Sequence, residues 1–90
     1  MEPLENVVMS CSQCTFPSEL MKKVEDSPTL SDDDRHRFNE IWEFAMASKN
    51  WNDADLTRSI VETHRKIMDT FTLSDTATAV IVRLASYEWR

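Results

Sequence analysis

Two cysteines, two histidines and a run of three aspartates are the residues of this chain best suited to chemistry. Cys11 and Cys14 form a CxxC motif, a spacing shared by zinc sites and dithiol redox sites. A structural zinc site needs four ligands, yet the only histidines, His36 and His64, lie far along the sequence on predicted helices. A thioredoxin-like site needs a βαβ context that the sequence pattern does not predict. We therefore expect two reduced thiols and no bound metal or cofactor.

The acidic run at residues 32–34 is a second candidate for cation binding. Calcium loops space their carboxylates at alternating positions and bend at a glycine, whereas these aspartates are consecutive. Ser31 followed by Asp34 fits a variant of the capping box, in which the serine binds an early backbone N–H. Acidic side chains in a first turn also interact favourably with the helix dipole. The run therefore predicts the start of a helix.

Catalysis has little support in the sequence. His64 falls within an apolar helical stripe, and neither a nucleophile nor a partner carboxylate accompanies it in the pattern. A glycine-rich phosphate loop is excluded because the chain has no Gly. We therefore predict that the protein is not an enzyme.

Charge and hydropathy restrict the class of partner. The net charge is −6, and the ten Lys and Arg residues are scattered singly or in pairs. Phosphate neutralisation needs clustered basic residues, so direct nucleic-acid binding is not expected. The chain has no apolar run of 18 residues and no signal-peptide pattern. We expect a soluble intracellular protein, cytoplasmic or nuclear, without membrane insertion.

Periodicity and capping signals predict helices over residues 16–26, 32–48, 52–70 and 75–89. The absence of Gly argues against tight β-hairpins. Residues 76–82 are β-branched and would suit a strand, but a lone strand would have no partner, so helix is favoured. In the corner between the second and third helices, Asn50 is suited to the left-handed conformation that Gly otherwise provides.

The predicted fold is therefore all-α. We expect one small domain, a three- to four-helix bundle over residues 16–90, because a chain of 90 residues builds a single core. Residues 1–15 show no sustained period and are expected to form a loose, flexible N-terminal segment.

The helical stripes predict which residues form the core and which are spare. The expected core residues are Phe38, Ile41, Trp42, Trp51, Ile60, His64, Ile67 and Phe71. Phe44 and Met46 lie off the stripe of their helix, and Trp89 is a spare aromatic near the end of the sequence. Large apolar residues beyond those that a core needs are typical of interfaces. We therefore predict that Phe44, Met46 and Trp89 bind a partner.

The stretch LSDDDRHRFNEIWEFAMASKNWNDADLTRSIVETH resembles a known helical domain. That domain is the C-terminal helical domain of the steroid receptor RNA activator protein and of the large outer-coat subunit of COPII. The resemblance consists of a helix start, an aromatic corner and a final His. The matching positions are Leu30, Ser31, Trp51, Ala54, Ile60 and His64. The resemblance implies a small all-α bundle without catalytic activity that acts in assembly, as a transcription coregulator or a vesicle-coat component.

These observations predict a non-enzymatic scaffold or adaptor module that binds another protein through an apolar helix face. Its acidic surface would select a basic or neutral partner. A homo- or heterodimer is also open, since a short chain with spare apolar residues can depend on its partner for stability. The alternative function is a transcription- or RNA-associated regulatory module.

Overall fold

The computed structural model describes residues 2–47, 50–51 and 55–88. The predicted all-α class is confirmed. The helix count differs from the prediction, because the described residues form five helices rather than three to four. In chain order they are α1 (Glu2–Met9), α2 (Pro17–Asp26), α3 (Asp32–Met46), α4 (Leu56–Phe71) and α5 (Asp75–Glu88).

The additional helix, α1, lies within the segment that the sequence was expected to leave flexible. Its Leu4 and Val8 are 1% and 0% exposed, so residues 2–14 pack against the bundle rather than extending from it. The physical reason is an apolar stripe at Leu4, Val8 and Cys11, which recurs at four and then three residues. The stripe is complete only when cysteine is counted as a small hydrophobic residue.

The two cysteines also differ from expectation. Cys11 and Cys14 form a disulfide, with their α-carbons 5.0 Å apart. This separation is within the range that a disulfide can bridge. The bond closes the turn that follows α1, in which the Cys14 N–H donates to the Cys11 carbonyl at 3.0 Å.

Helix α5 is the centre of the bundle. It packs against each of the other four helices. Its buried side chains include Ala77, Val80, Ile81, Leu84 and Ala85. A helix that is apolar on most sides is stable when it is surrounded by other helices. This burial explains why the β-branched run at residues 76–82 is helical, as favoured from the sequence.

The start of α3 confirms the predicted capping box. The Asp34 N–H donates to Ser31 Oγ, and the Ser31 N–H donates to Asp34 Oδ2, both at 3.1 Å. These reciprocal bonds satisfy two backbone donors that have no partner within the helix.

The ends of α2 and α4 are completed by arginines of α3. Arg35 donates from Nε to the Val24 carbonyl at 3.3 Å and from Nη2 to the Ser27 carbonyl at 2.7 Å. Arg37 donates from Nη2 to the Phe71 carbonyl at 2.9 Å. The last carbonyls of a helix lack partners within it, and cationic donors at this end also interact favourably with the helix dipole.

The end of α3 is completed by the corner residues. Asn50 donates from Nδ2 to the Phe44 carbonyl, and Trp51 donates from Nε1 to the Ala45 carbonyl, both at 2.7 Å. Asn50 therefore caps the helix with its side chain. The sequence suggested a left-handed conformation for Asn50, but its φ is not positive. In the described part of the chain, the one residue with positive φ is Thr72.

Thr72, at the end of α4, has φ 55° and ψ 36°. A β-branched residue is disfavoured in this left-handed region, whereas glycine populates it freely. Thr72 is exposed, so its side chain can be removed without opening a cavity. We expect Thr72→Gly to raise the free energy of unfolding by about 0.5–1 kcal/mol, measured by urea denaturation.

The matched control is Thr70→Gly, in the last turn of the same helix. Thr70 is also exposed but helical, so this substitution should lower stability by a few tenths of a kcal/mol. If both variants lost stability, the backbone at Thr72 would not be left-handed in solution.

Candidate functional site: the outer face of helix α4

Helix α4 presents a polar stripe to the interior and part of its apolar stripe to the outside. Ser59 and Thr63 are 2% and 1% exposed and lie beside the fully buried Ile67. Val61, by contrast, is 62% exposed. The apolar stripe is therefore displaced around the helix axis from the side that packs against the bundle. A helix that buries small polar residues while leaving a large aliphatic side chain outside is unusual for a surface helix.

The exposed part of the stripe forms a shallow, solvent-open groove between side chains that all belong to α4. Its lining residues are Ile60, Val61, His64, Arg65, Met68 and Asp69. Val61 is exposed, and Ile60 and Met68 are half-buried, so the floor is largely aliphatic. Arg65 and Asp69 are exposed and place one charge of each sign at the rim. The arrangement suits an apolar side chain of another molecule, with polar contacts around it.

His64 at the groove edge is held by a carboxylate. Its Nε2 lies 2.7 Å from Asp75 Oδ1, with the two side chains 23% and 80% exposed. The contact joins α4 to the first residue of α5 and fixes the imidazole at the rim. A carboxylate that orients a histidine is one part of a nucleophilic triad. No hydroxyl or thiol of the described residues is hydrogen-bonded to this imidazole.

Two of the three residues predicted to bind a partner lie against the core. Phe44 and Met46 are half-buried and pack against the core. The Phe44 ring meets Phe71 edge-on, with centroids 5.5 Å apart, so it contributes to the contact between α3 and α4. Trp89 lies outside the described residues. Phe44 and Met46 are therefore only partly exposed.

The residues predicted to form the core divide into two groups. Phe38, Ile41 and Ile67 are buried, with exposures of 0–1%. The half-buried residues packed against this centre are Trp42, Trp51, Ile60 and Phe71. His64 is also half-buried, at the groove rim rather than in the centre of the bundle.

Of the groove residues, the sequence assigned Ile60 and His64 to the core and did not identify Val61 or Met68 as an outward-facing surface. The signal that could have separated them is the width of the apolar stripe. Ile67 and Val61 lie on clearly different sides of an ideal helix, because each residue advances the helix by about 100°. A stripe this wide exceeds what one packing face needs.

No protein-family model, no curated protein and no solved structure matches this chain. Within residues 2–47, 50–51 and 55–88, no helix is long and apolar enough to cross a membrane. In the same residues, no three His, Cys, Asp or Glu side chains group as they would around a metal ion.

Proposed function

We propose that this chain is a non-enzymatic protein-interaction module whose α4 groove binds an apolar helix of a basic or neutral partner protein. The observation that carries the proposal is the exposure of Val61 in an aliphatic groove, on a helix that buries Ser59 and Thr63 instead. Covering a side chain such as Val61 would remove apolar surface from water, at roughly 25 cal/mol per Å².

The partner chemistry follows from charge. The chain carries −6, so a second copy would approach with the same negative charge, whereas a basic segment would be attracted. An amphipathic helix with an aliphatic stripe fits the groove floor, and basic flanks would be attracted by the net charge of the whole chain. We place this module in the cytoplasm or nucleus, as a scaffold or adaptor.

The resemblance to the coregulator and coat domain supports the same class of function. Among the positions that carry the resemblance, Leu30 is 5% exposed, Ser31 caps α3, and Trp51 packs at the corner. Ala54 lies outside the described residues. A transcription- or coat-associated role is the corresponding biological setting. Direct RNA binding is disfavoured by the acidic charge.

The proposal is tested with two synthetic helical peptides that share one leucine stripe and differ only in their flanks, lysine in one and glutamate in the other. We expect the lysine peptide to bind more tightly, measured by fluorescence anisotropy. Val61→Asp should weaken that binding by about tenfold or more, because a carboxylate would be buried against the leucine stripe.

The matched control is Phe16→Asp. Phe16 is 66% exposed and lies at the start of α2, which packs against α1, α3 and α5. This variant should bind the peptide as the wild type does. Equal losses in both variants would mean that binding is non-specific. A wild-type dimer that Val61→Asp converts to a monomer would place a second copy in the groove and overturn the heterologous partner.

A further inference from the structure

The disulfide-closed turn after α1 is attached to the central helix by a single cation. Arg83 of α5 donates from Nη2 to the Cys14 carbonyl at 3.0 Å and to the Cys11 carbonyl at 3.5 Å. Both cysteines thus present their carbonyl groups to one guanidinium nitrogen. The arginine and the cysteines are about 70 residues apart along the chain, so this contact fixes the packing of α1 on α5.

Arg83 depends on these carbonyls. Its Nε is buried and has no hydrogen-bond partner, and no carboxylate among the described residues forms an ion pair with it. The side chain is partly buried, so its hydrogen bonds must replace the hydration that the guanidinium loses there. Closure of the turn by the disulfide keeps the two carbonyls together where Arg83 can reach both.

The two cysteine residues are unequally buried. Cys11 is fully buried, whereas Cys14 is 8% exposed. Thiol–disulfide exchange requires that the attacking thiolate reach one sulfur in line with the bond. Cys14 is the more exposed of these two buried residues, so an external thiol would reach its sulfur before that of Cys11.

We propose that Cys11 and Cys14 form a reversible thiol–disulfide exchange site, attacked at Cys14 by a dithiol reductant, and that its redox state controls the packing of α1 on α5. The proposal is independent of the α4 groove. In this proposal the CxxC disulfide is the group that a reductant acts on. It is neither a zinc site nor a thioredoxin-like catalyst.

The exchange balances in two steps. A thiolate of the reductant bonds to Cys14 Sγ, the Cys11–Cys14 bond breaks, and Cys11 leaves as a thiolate that takes up a proton. The second thiol of the reductant then attacks its own sulfur in the mixed disulfide, and Cys14 leaves and is protonated. The protein gains two electrons and two protons, and the reductant becomes a disulfide.

Breaking the bond should loosen α1 without unfolding the bundle. The freed turn gains conformational entropy, so its two carbonyls no longer converge on Arg83. Helix α1 keeps its other attachments, the burial of Leu4 and Val8 and the bond from the Ser74 N–H to Glu5 Oε1 at 2.9 Å. The expected change is therefore local opening of α1.

The test is hydrogen exchange of the full chain, oxidised and after excess dithiothreitol, followed by mass spectrometry of peptides. We expect amides of α1 to exchange about tenfold faster after reduction, while those of α3 and α4 change less than about twofold. The double variant Cys11→Ser, Cys14→Ser should match the reduced protein and show no response to dithiothreitol.

The site of attack is tested on the wild-type chain with glutathione, followed by acid quenching to trap the mixed disulfide. Glutathione attached to Cys14 supports the proposal, and attachment mainly to Cys11 overturns it. Unchanged exchange of α1 after complete reduction would show that the disulfide does not control packing. Resistance of the folded protein to dithiothreitol would show that the site is not reversible.

Discussion

Replacing Phe38 by alanine is expected to lower the free energy of unfolding by about 3–5 kcal/mol. Phe38 is 1% exposed and is among the largest fully buried side chains. Its ring also stacks on Trp42, with centroids 6.3 Å apart and planes 19° apart. The substitution removes apolar contacts on several sides and leaves a cavity that the surrounding helices fill only in part. Small domains have a total stability of about 5–15 kcal/mol, so urea denaturation should show a much earlier transition.

Phe16→Ala is the matched control, since it removes the same side chain from a surface position. Phe16 is 66% exposed, and its loss should change the free energy of unfolding by less than about 0.5 kcal/mol. A small loss of stability in Phe38→Ala and a large loss in Phe16→Ala would contradict the packing of α3 that buries Phe38.

The helices could be predicted from the sequence wherever a local signal marks them. Ser31 and Asp34 are three residues apart, and their capping interaction needs no other part of the molecule. Prediction of a helix from residue 32 therefore agrees with the structure, as does the start of the last helix at residue 75. The end of a helix depends on more than its local sequence: the helix expected to reach residue 48 ends at Met46. The stop is set by Asn50 and Trp51, whose side chains bind its last carbonyls.

The candidate site was harder to predict because it depends on how α4 is rotated in the bundle. The sequence gives α4 an apolar stripe that includes Ile60, Val61 and Ile67. Which part of such a stripe is buried is decided by the helices packed against it. Here α5 and α3 contact α4 on the Ser59 and Thr63 side, and Val61 is left outside.

Helix endings show the same dependence on distant residues. This chain has no glycine, so its helices cannot end with the usual glycine cap. Arginines elsewhere in the chain supply the missing donors: Arg35 for α2, Arg37 for α4 and Arg83 for the turn after α1. The separation of Arg37 from Phe71 is 34 residues, so no local pattern could have revealed it. These bonds make the helix ends and the tertiary packing interdependent.

The corner after α3 provides the clearest test of that interdependence. Trp51 is half-buried, packs against the core and donates from Nε1 to the Ala45 carbonyl at 2.7 Å. Trp51→Ala removes both the packing and the bond. We expect it to lower the free energy of unfolding by about 3 kcal/mol, measured by urea denaturation. A wild-type melting temperature would show that the corner is exposed in solution.

Trp51→Phe separates the two contributions, because it keeps an aromatic ring and removes only the donor. It should cost about 1 kcal/mol, the usual net value of one hydrogen bond. If Trp51→Phe is as damaging as Trp51→Ala, the indole N–H determines where α3 ends and packing of the ring is secondary. If Trp51→Phe is neutral, the Ala45 carbonyl finds another donor, and the ring alone holds the corner against the core.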